Sequence, residues 1–237
     1  MHVIKPVIIA GCVSAFVHAA HGQSTGGVIS PVVNEGYNAV QYRVGFDPDS
    51  DDLAQRIHVD TAFNDDFMGR IVVQGATPGD GDAEFSFVQA ELFWDLSETG
   101  ARFHNGVRFD ARIRDAGQPA TLNVNFMNQF NFAPGWHARA VLLTAVDVGD
   151  DGRDGVLLQT RSRINRRLAD GIQIGAEMFS VYGSTEDFRN FDDQSHQIGP
   201  HVQVPITGDW GLFASALFGI TDGSDDTNLK LWITRTF

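Results

Sequence analysis

The chain has 237 residues, and its 30 acidic residues outweigh its 17 basic ones, for a formal net charge of −13. This balance argues against a nucleic acid partner, because phosphate backbones are bound through clustered Lys and Arg. The length suits one large β domain or two small domains. Cys12 is the only cysteine, so the chain that follows it has none and can form no disulfide.

Residues 1–22 have the layout of a secretory signal peptide. An early cation, Lys5, precedes an apolar run over residues 7–17, and small residues follow up to position 22. The run is too short to span a membrane as a helix. We therefore expect residues 1–22 to be removed on export. A second interpretation stays open, because residues 9–12 end on Cys12 and resemble a lipoprotein processing box.

Residues 23–36 contain Gly, Ser, Pro and Val without a period, and we expect them to form a short periplasmic lead-in. Beyond residue 23 the chain has no apolar run of the roughly 18 residues that a membrane-spanning helix needs. Over residues 37–237, apolar and polar side chains instead alternate with a period of two, which is typical of β-strands.

The alternation is clearest over residues 101–114. There the apolar side chains of Phe103, Val107, Phe109, Ala111 and Ile113 alternate with polar ones. We count about 12 such segments, with about 10 to 14 possible, and single-chain bacterial barrels have an even number of strands. The pattern therefore predicts an all-β fold, namely a single transmembrane up-and-down antiparallel β-barrel over residues 37–237.

Longer and shorter connections mostly alternate between these segments. The longer ones include residues 47–52, 75–82, 147–155, 183–193 and 220–226. In an up-and-down barrel, successive hairpins lie on opposite rims, and periplasmic turns are short whereas outer loops are longer. With both termini periplasmic, the longer loops would lie outside the cell. A β-sandwich with crossing connections is not expected to show this alternation of longer and shorter connections.

The two faces of the strands differ in composition. The polar face carries Arg, Asn, Gln and His, whereas Lys230 is the only lysine after the expected signal peptide, which is unusual for a surface in water. The apolar face carries aromatic residues near strand ends, as at Trp94, Trp136 and Trp210, where an interfacial girdle belongs. A soluble barrel would have the inverse arrangement. We therefore expect the apolar face to contact lipid and the polar face to line a watery interior.

The last strand carries a second signal. Leu229, Leu231, Ile233 and the terminal Phe237 share one face, which Arg235 interrupts near its end. The segment resembles the closing strand of Gram-negative outer-membrane β-barrels, in which the C-terminal Phe belongs to the signal read by the barrel-insertion machinery. The resemblance implies the cell outer membrane as location, with outer-membrane lipids, lipopolysaccharide and the insertion machinery as partners. An edge strand of a soluble protein is the alternative.

Residues 191–200 and 217–224 carry a narrower resemblance, to the C-terminal part of small, uncharacterised proteobacterial outer-membrane barrel proteins. It implies membership of a porin-like group. It brings no catalytic or binding residue with it.

Inward-facing arginines are the main functional clue. The residues predicted to line the lumen as an anion path are Arg102, Arg108, Arg112, Arg114, Arg139, Arg161, Arg163 and Arg167. Guanidinium groups stay charged and present forked donors, so a ring of them in a pore favours anions. This set predicts a porin-like channel for passive diffusion of small polar or anionic solutes. The alternative is a closed structural or adhesive barrel, in which Asp60, Glu91, Asp110 and Glu177 pair with the arginines.

The acidic residues concentrate in the predicted outer loops, where they can share divalent cations with lipopolysaccharide phosphates. Residues 147–155 read Asp-Val-Gly-Asp-Asp-Gly-Arg-Asp-Gly. Alternating Asp and Gly can surround a calcium ion, but this segment lacks the final Glu of an EF-hand loop. Solvated turns explain it equally well, so no metal site and no cofactor is predicted.

A lipid-hydrolysing barrel enzyme is a further alternative. Ser195 and His196 begin a strand after a long loop, which is the right height for a nucleophile and base on the lipid-facing wall. Adjacent strand residues point to opposite faces, so these two side chains cannot share a hydrogen bond. We therefore predict no enzymatic activity.

Overall fold

A computed structural model describes residues 25–115 and 117–237, in which twelve antiparallel strands close into one barrel. The strands are β1 (Asn38–Asp47), β2 (Asp52–Ala62), β3 (Phe67–Thr77), β4 (Glu84–Asp95), β5 (Phe103–Arg114), β6 (Ala120–Ala133), β7 (Trp136–Val148), β8 (Leu157–Arg167), β9 (Gln173–Ser184), β10 (Ser195–Pro205), β11 (Trp210–Gly219) and β12 (Thr227–Thr236). Two 3₁₀ turns, Ala169–Gly171 and Phe191–Asp193, lie in connections. No helix in the described ranges is long and apolar enough to cross a membrane. The predicted all-β barrel is confirmed, and the expected signal peptide lies outside the described residues.

Each strand pairs with its neighbour in sequence, and β12 closes the barrel against β1. At the closure Val44 lies opposite Leu231. The backbone N–H of Phe237 donates to the carbonyl oxygen of Asn38 at 3.0 Å, so the first and last strands meet at one rim. We call this the terminal rim and the opposite one the loop rim. Because the barrel is closed, every strand has two hydrogen-bonded neighbours.

The exterior of the barrel is apolar. Ile57, Ile113 and Leu231, on three different strands, are 49%, 64% and 50% exposed. Leaving such side chains in water forgoes about 1.5–3 kcal/mol each relative to burial, whereas hydrocarbon solvates them. Closure also pairs the backbone groups between strands, as a bilayer interior demands. The predicted apolar face is therefore the outer face of the barrel, and its chemistry suits lipid.

Aromatic side chains lie on the exterior near the terminal rim. Phe67 stacks on Trp94 with ring centroids 5.6 Å apart. The guanidinium carbon of Arg235 lies 4.9 Å from the ring centroid of Phe237 and 5.6 Å from that of Trp210. Arg235, the exception on the apolar face of the closing strand, is thus part of an aromatic girdle, where its charge can reach lipid head groups.

The two rims differ in the length of their connections. On the terminal rim, residues 134–135 join β6 to β7 directly, whereas the loop rim carries long connections over residues 149–156 and 185–194. The tight turn depends on Gly135, whose φ of +74° is left-handed. The predicted alternation mostly holds. The connection over residues 96–102 is an exception, because it is long and lies on the terminal rim. Residues 48–51 are another, because this loop-rim connection is no longer than residues 63–66 on the terminal rim.

Residues 25–33 lie inside the barrel, which corrects the expected periplasmic lead-in over residues 23–36. Thr25 is 0% exposed and Val28 is 4% exposed, and residues 34–36 become exposed near the terminal rim. Small side chains and two consecutive glycines make the stretch slim enough to fit among the interior side chains. Its apolar and polar residues do not alternate because the segment passes through the lumen and does not pair with a strand. We call residues 25–33 the inner segment.

Candidate functional site

The barrel interior is lined by charged side chains from most of the strands. Its basic members are Arg43, Arg56, Arg70, Arg108, Arg112, Arg139, Arg161, Arg163 and Lys230. The carboxylates among them at mid-height are Asp60, Glu91, Asp110 and Glu177, all buried. These residues occupy the polar positions of the period-two pattern, which point inward because the apolar positions point out. Within the described part of the chain, basic groups outnumber acidic ones in this region, so the interior is positively charged.

One ion-pair network crosses four adjacent strands, β2 to β5. Arg70 Nε lies 2.5 Å from Asp60 Oδ1, and Arg70 Nη1 lies 3.3 Å from Glu91 Oε2. Arg108 then bridges Glu91 Oε1 at 3.3 Å and Asp110 Oδ2 at 2.9 Å. Each carboxylate therefore contacts at least one guanidinium, which offsets the cost of burying charge, although three carboxylates share two guanidinium groups.

A second network is centred on Glu177, on the other side of the barrel. Arg163 Nη2 lies 2.6 Å from Glu177 Oε2, and Lys230 forms an ion pair with Glu177 Oε1. The hydroxyl of Ser215 donates to the same Oε1 at 2.8 Å. The network thereby joins β8, β9, β11 and β12. All four carboxylates named from the sequence as pairing candidates do form ion pairs with interior cations.

A second group of arginines has no carboxylate partner among the described residues. Its members are Arg43, Arg56, Arg112, Arg139 and Arg161. In the first four, Nε donates to a glutamine side-chain oxygen at 2.5 to 2.8 Å. Because a neutral amide does not compensate a charge, these guanidinium groups keep their net positive charge and their capacity to bind an anion. We call these five residues the amide-bound arginines.

Aromatic rings hold several of the amide-bound arginines from one side. Arg43 lies with its guanidinium carbon 3.9 Å from the ring centroid of Trp232. Arg112 and Arg56 lie over Phe87 at 4.2 and 5.2 Å. Cation–π contacts of this kind fix the plane of a guanidinium group without neutralising it. The arrangement directs the charged guanidinium groups towards the lumen.

Three of the predicted lumen arginines lie at the rims. Arg102 precedes β5, is exposed, and donates to the backbone carbonyls of Asn131 and Phe132 at 3.4 and 3.3 Å. It therefore does not line the lumen, and that prediction was wrong because Arg102 stands outside the strand whose alternation suggested it. Arg114 is half-buried at the loop-rim end of β5, and Arg167 is exposed at the terminal-rim end of β8. The other five predicted arginines lie in the middle of the barrel.

The sequence reading missed Arg43, Arg56 and Arg70, which are interior residues of the first three strands. The signal was present, because Arg43 follows the outward-facing Tyr42 and Arg56 precedes the outward-facing Ile57. Applying the same alternation to these strands would have found them. Their inclusion places positive charge around more of the barrel wall.

The backbone of the inner segment binds the interior cations. Arg43 Nη1 donates to the carbonyl oxygen of Thr25 at 3.1 Å, and Arg161 Nη1 donates to that of Gly27 at 3.3 Å. Lys230 Nζ donates to the carbonyl of Gly26 at 3.5 Å. Three consecutive carbonyl groups thus meet cations from β1, β8 and β12. The inner segment therefore lies between these cations inside the lumen.

The apolar side chains of the inner segment pack against the interior wall. Val28 and Val33 belong to a buried cluster that includes Phe93, Met127 and Phe179. Interior phenylalanines were not expected from the sequence, since they occupy positions of the polar face. Their presence shows that the interior is partly apolar and shaped around a bound segment.

His196 lies on the outer wall near the loop rim, with Ser180 on the neighbouring strand as its partner. Its Nδ1 is 2.8 Å from Ser180 Oγ, and its Nε2 is 2.9 Å from Gln194 Oε1. Phe191 stacks on the imidazole with centroids 5.0 Å apart, and both His196 and Ser180 are buried. Since the ring covers the pair, we interpret it as an anchor for the connection between β9 and β10. As expected from their adjacency, Ser195 and His196 share no hydrogen bond.

The acidic segment over residues 147–155 is organised by an ion pair. Arg153 Nε donates to Asp147 Oδ2 at 2.7 Å, and Arg153 Nη2 donates to Asp147 Oδ1 at 3.2 Å. The Asp147 carboxylate is therefore already engaged by a cation of its own loop. Among the described residues, the structure brings together no group of three or more His, Cys, Asp or Glu side chains that could hold a metal ion.

A closed antiparallel barrel with an apolar exterior, an aromatic girdle and a charged interior defines a transmembrane β-barrel of the outer-membrane type. The fold resembles that of solved porins. The KdgM porin in complex with disordered oligogalacturonate matches with a TM-score of 0.63 and 10% identity, over 84% of this chain and 99% of that one. The NanC porin matches with a TM-score of 0.61 and 10% identity, over 84% of this chain and 98% of that one. Neither protein-family models nor curated proteins match the sequence.

These similarities establish a shared fold. In its fold, the chain is accordingly a porin-like β-barrel of the outer-membrane type, and the cell outer membrane is where such a barrel resides. The predicted class and location are thereby confirmed. At 10% identity, the functional residues of these porins cannot be assigned to positions in this chain.

Proposed function

We propose that this protein is a passive channel for small anionic solutes, selective through its amide-bound arginines. The observation that carries the proposal is the surplus of interior cations over carboxylates. Arg43, Arg56 and Arg161 are bound to neutral oxygen atoms only, among the described residues. A purely structural salt-bridged plug would have no need of uncompensated charge, which raises the cost of burial.

The local geometry supports carboxylate-bearing solutes. Arg112 uses Nε to bind Gln89 at 2.7 Å and rests on Phe87, so its two Nη groups form an edge with no hydrogen-bond partner among the described residues. A guanidinium edge of this kind matches the two oxygens of a carboxylate. The KdgM porin was solved with an oligogalacturonate, which is a polyanionic saccharide. Acidic oligosaccharides are therefore the solute class that we propose to test first.

The test is a reversal-potential measurement on refolded protein in a planar bilayer with a KCl gradient. Arg56→Gln with Arg112→Gln should lower the Cl⁻/K⁺ permeability ratio several-fold. Arg235→Gln removes an arginine from the exterior girdle and should leave the ratio unchanged. Cation preference of the wild type would overturn the proposal, as would absence of conductance in both the wild type and a variant lacking residues 25–33.

A closed structural barrel is the second candidate. Its support is the filling of the lumen by the inner segment and by the two ion-pair networks around Glu91 and Glu177. If the barrel is closed, proteoliposomes should exclude trigalacturonate and chloride even when the inner segment is removed. If the barrel is a channel, proteoliposomes that contain this variant should admit both solutes.

We also propose that the loop rim faces the outside of the cell and contacts lipopolysaccharide through shared divalent cations. Exposed carboxylates such as Asp150, Asp151, Asp192 and Asp193 support this orientation. The aromatic residue at the end of the closing strand, Phe237, supports recognition by the barrel-insertion machinery.

A further inference from the structure

We propose that the inner segment is an internal ligand of the anion site and closes the channel until an anion displaces it. The proposal rests on the proposed function, because the same arginines serve both. Residues 25–33 would act as a built-in competitor of the solute. The channel would then open in response to the solutes that it conducts.

The first step is the match between the segment and an anion. The carbonyl oxygens of Thr25, Gly26 and Gly27 accept hydrogen bonds from Arg43, Lys230 and Arg161 respectively. Arg43 and Lys230 lie on the paired strands β1 and β12, and Arg161 lies on β8, so the cations approach the segment from two sides, as they would to hold an anionic group. A carbonyl oxygen carries only a partial charge, so it satisfies donors without neutralising them. An incoming carboxylate would bind the same donors more strongly.

The second step is the close fit of the backbone. A Cβ atom on Gly26 would lie 2.6 Å from Arg161 Nη1, and one on Gly27 would lie 2.7 Å from Trp232 Cη2. Such separations are well below van der Waals contact. The flexible guanidinium group of Arg161 can move away from a side chain at Gly26, whereas the indole ring of Trp232 is rigid, so the requirement for glycine is strict at Gly27. Gly27 is therefore the position at which the segment depends on the absence of a side chain.

The third step is the way in which the segment is held. Within the described ranges, no backbone–backbone hydrogen bond links residues 25–33 to a strand. Its anchors are side-chain contacts, such as Asp95 Oδ2, which accepts from the backbone N–H of Val33 at 3.1 Å. Withdrawal of the inner segment would therefore leave the hydrogen bonds between the barrel strands intact. Gly36, with φ of +74° and open space around it, joins the segment to β1 and can serve as the hinge.

The first experiment compares two valine substitutions in otherwise intact protein. Gly27→Val places a side chain against Trp232 and should expel the segment, which raises single-channel conductance several-fold. Asn34→Val adds the same side chain at an exposed position and should leave conductance at the wild-type value. Gly27→Val protein that is folded by circular dichroism but conducts like the wild type would overturn the proposal.

The second experiment removes residues 25–33 and separates the two proposals. A rise in conductance with anion preference supports both. A rise without ion preference overturns the proposed function and leaves the segment as the closing element. Unchanged, anion-selective conductance overturns the internal ligand and leaves the channel.

The third experiment measures displacement directly, in a Cys12→Ser background. Thr25→Cys places a thiol at the buried start of the segment, and Asn34→Cys places one at the exposed position just after it. A water-soluble thiol reagent should modify Thr25→Cys much more slowly, and trigalacturonate should accelerate that reaction while leaving Asn34→Cys unchanged. Equal rates for the two thiols, or no acceleration by trigalacturonate at concentrations that alter conductance, would overturn the proposal.

Discussion

Glu177 shows how one carboxylate can organise a charged interior. The residue is 1% exposed, and it accepts from Arg163, Lys230 and Ser215, which come from three different strands. A buried carboxylate is costly unless every oxygen is hydrogen-bonded and its charge is balanced. Glu177 meets both conditions, so its role is to allow two cations to remain buried side by side.

Replacing this carboxylate should therefore destabilise the barrel. Glu177→Gln leaves Arg163 and Lys230 without a counter-charge, and breaking a buried pair in this way costs about 3–5 kcal/mol. Glu186→Gln, in an exposed loop, should change the free energy of unfolding by no more than about 0.5 kcal/mol. Urea unfolding in phospholipid vesicles measures both. Equal midpoints for the two variants would mean that the Glu177 network does not stabilise the fold.

At the scale of the element, β12 has two faces with separate tasks. Leu229, Leu231 and Ile233 point out of the barrel, whereas Lys230 and Trp232 point into the lumen. Both assignments follow from alternation in the sequence, and the pairing of β12 with β1 follows from the need to close the barrel. The strand therefore contributes to the membrane surface and to the interior charge at the same time.

Arginine on the lipid face of β12 should be tolerated only near the rim. Leu231→Arg places the charge between Val44 and Ala214, away from both strand ends. It should cost about 2–4 kcal/mol, as for Arg near the bilayer midplane, whereas Arg235→Leu should change stability by about 0–1 kcal/mol. Unfolding in vesicles gives both values. A cost for Leu231→Arg no larger than that for Arg235→Leu would argue that this face does not contact hydrocarbon.

The elements that the sequence predicted are those with a period. Residues 227–236 and 103–114 alternate almost throughout, with Arg235 and Asn105 as the interruptions, and both fold as strands with the expected faces. Residues 25–33 have no period, and their place in the lumen depends on cations from distant strands such as Arg43 and Arg161. Such contacts between distant residues cannot be predicted from the local sequence. The pairing of interior arginines with glutamine or carboxylate likewise depends on register between strands, which alternation alone leaves undetermined.

At the scale of the whole molecule, the net charge of −13 conceals a separation of charge. Acidic residues concentrate at the loop rim, in the connections over residues 149–156 and 185–194, while the barrel interior is basic. An anion approaching the pore would therefore meet repulsion at the mouth and attraction within. Divalent cations at the mouth would remove the repulsion, so the proposed contact with lipopolysaccharide and the proposed anion path depend on the same ions.

This dependence predicts that chelation destabilises the protein only beside lipopolysaccharide. In vesicles containing lipopolysaccharide, EDTA should lower the melting temperature by about 2–4 °C, which corresponds to about 1 kcal/mol for a domain of this size. In vesicles of phosphatidylcholine alone it should have no effect, since each phosphate there is balanced by the choline cation of the same lipid and needs no bridging ion. Replacing Asp150, Asp151, Asp192 and Asp193 by Asn should abolish the EDTA effect, because the bridging carboxylates are gone. An equal effect of EDTA in both kinds of vesicle would instead indicate an ion bound within the protein itself.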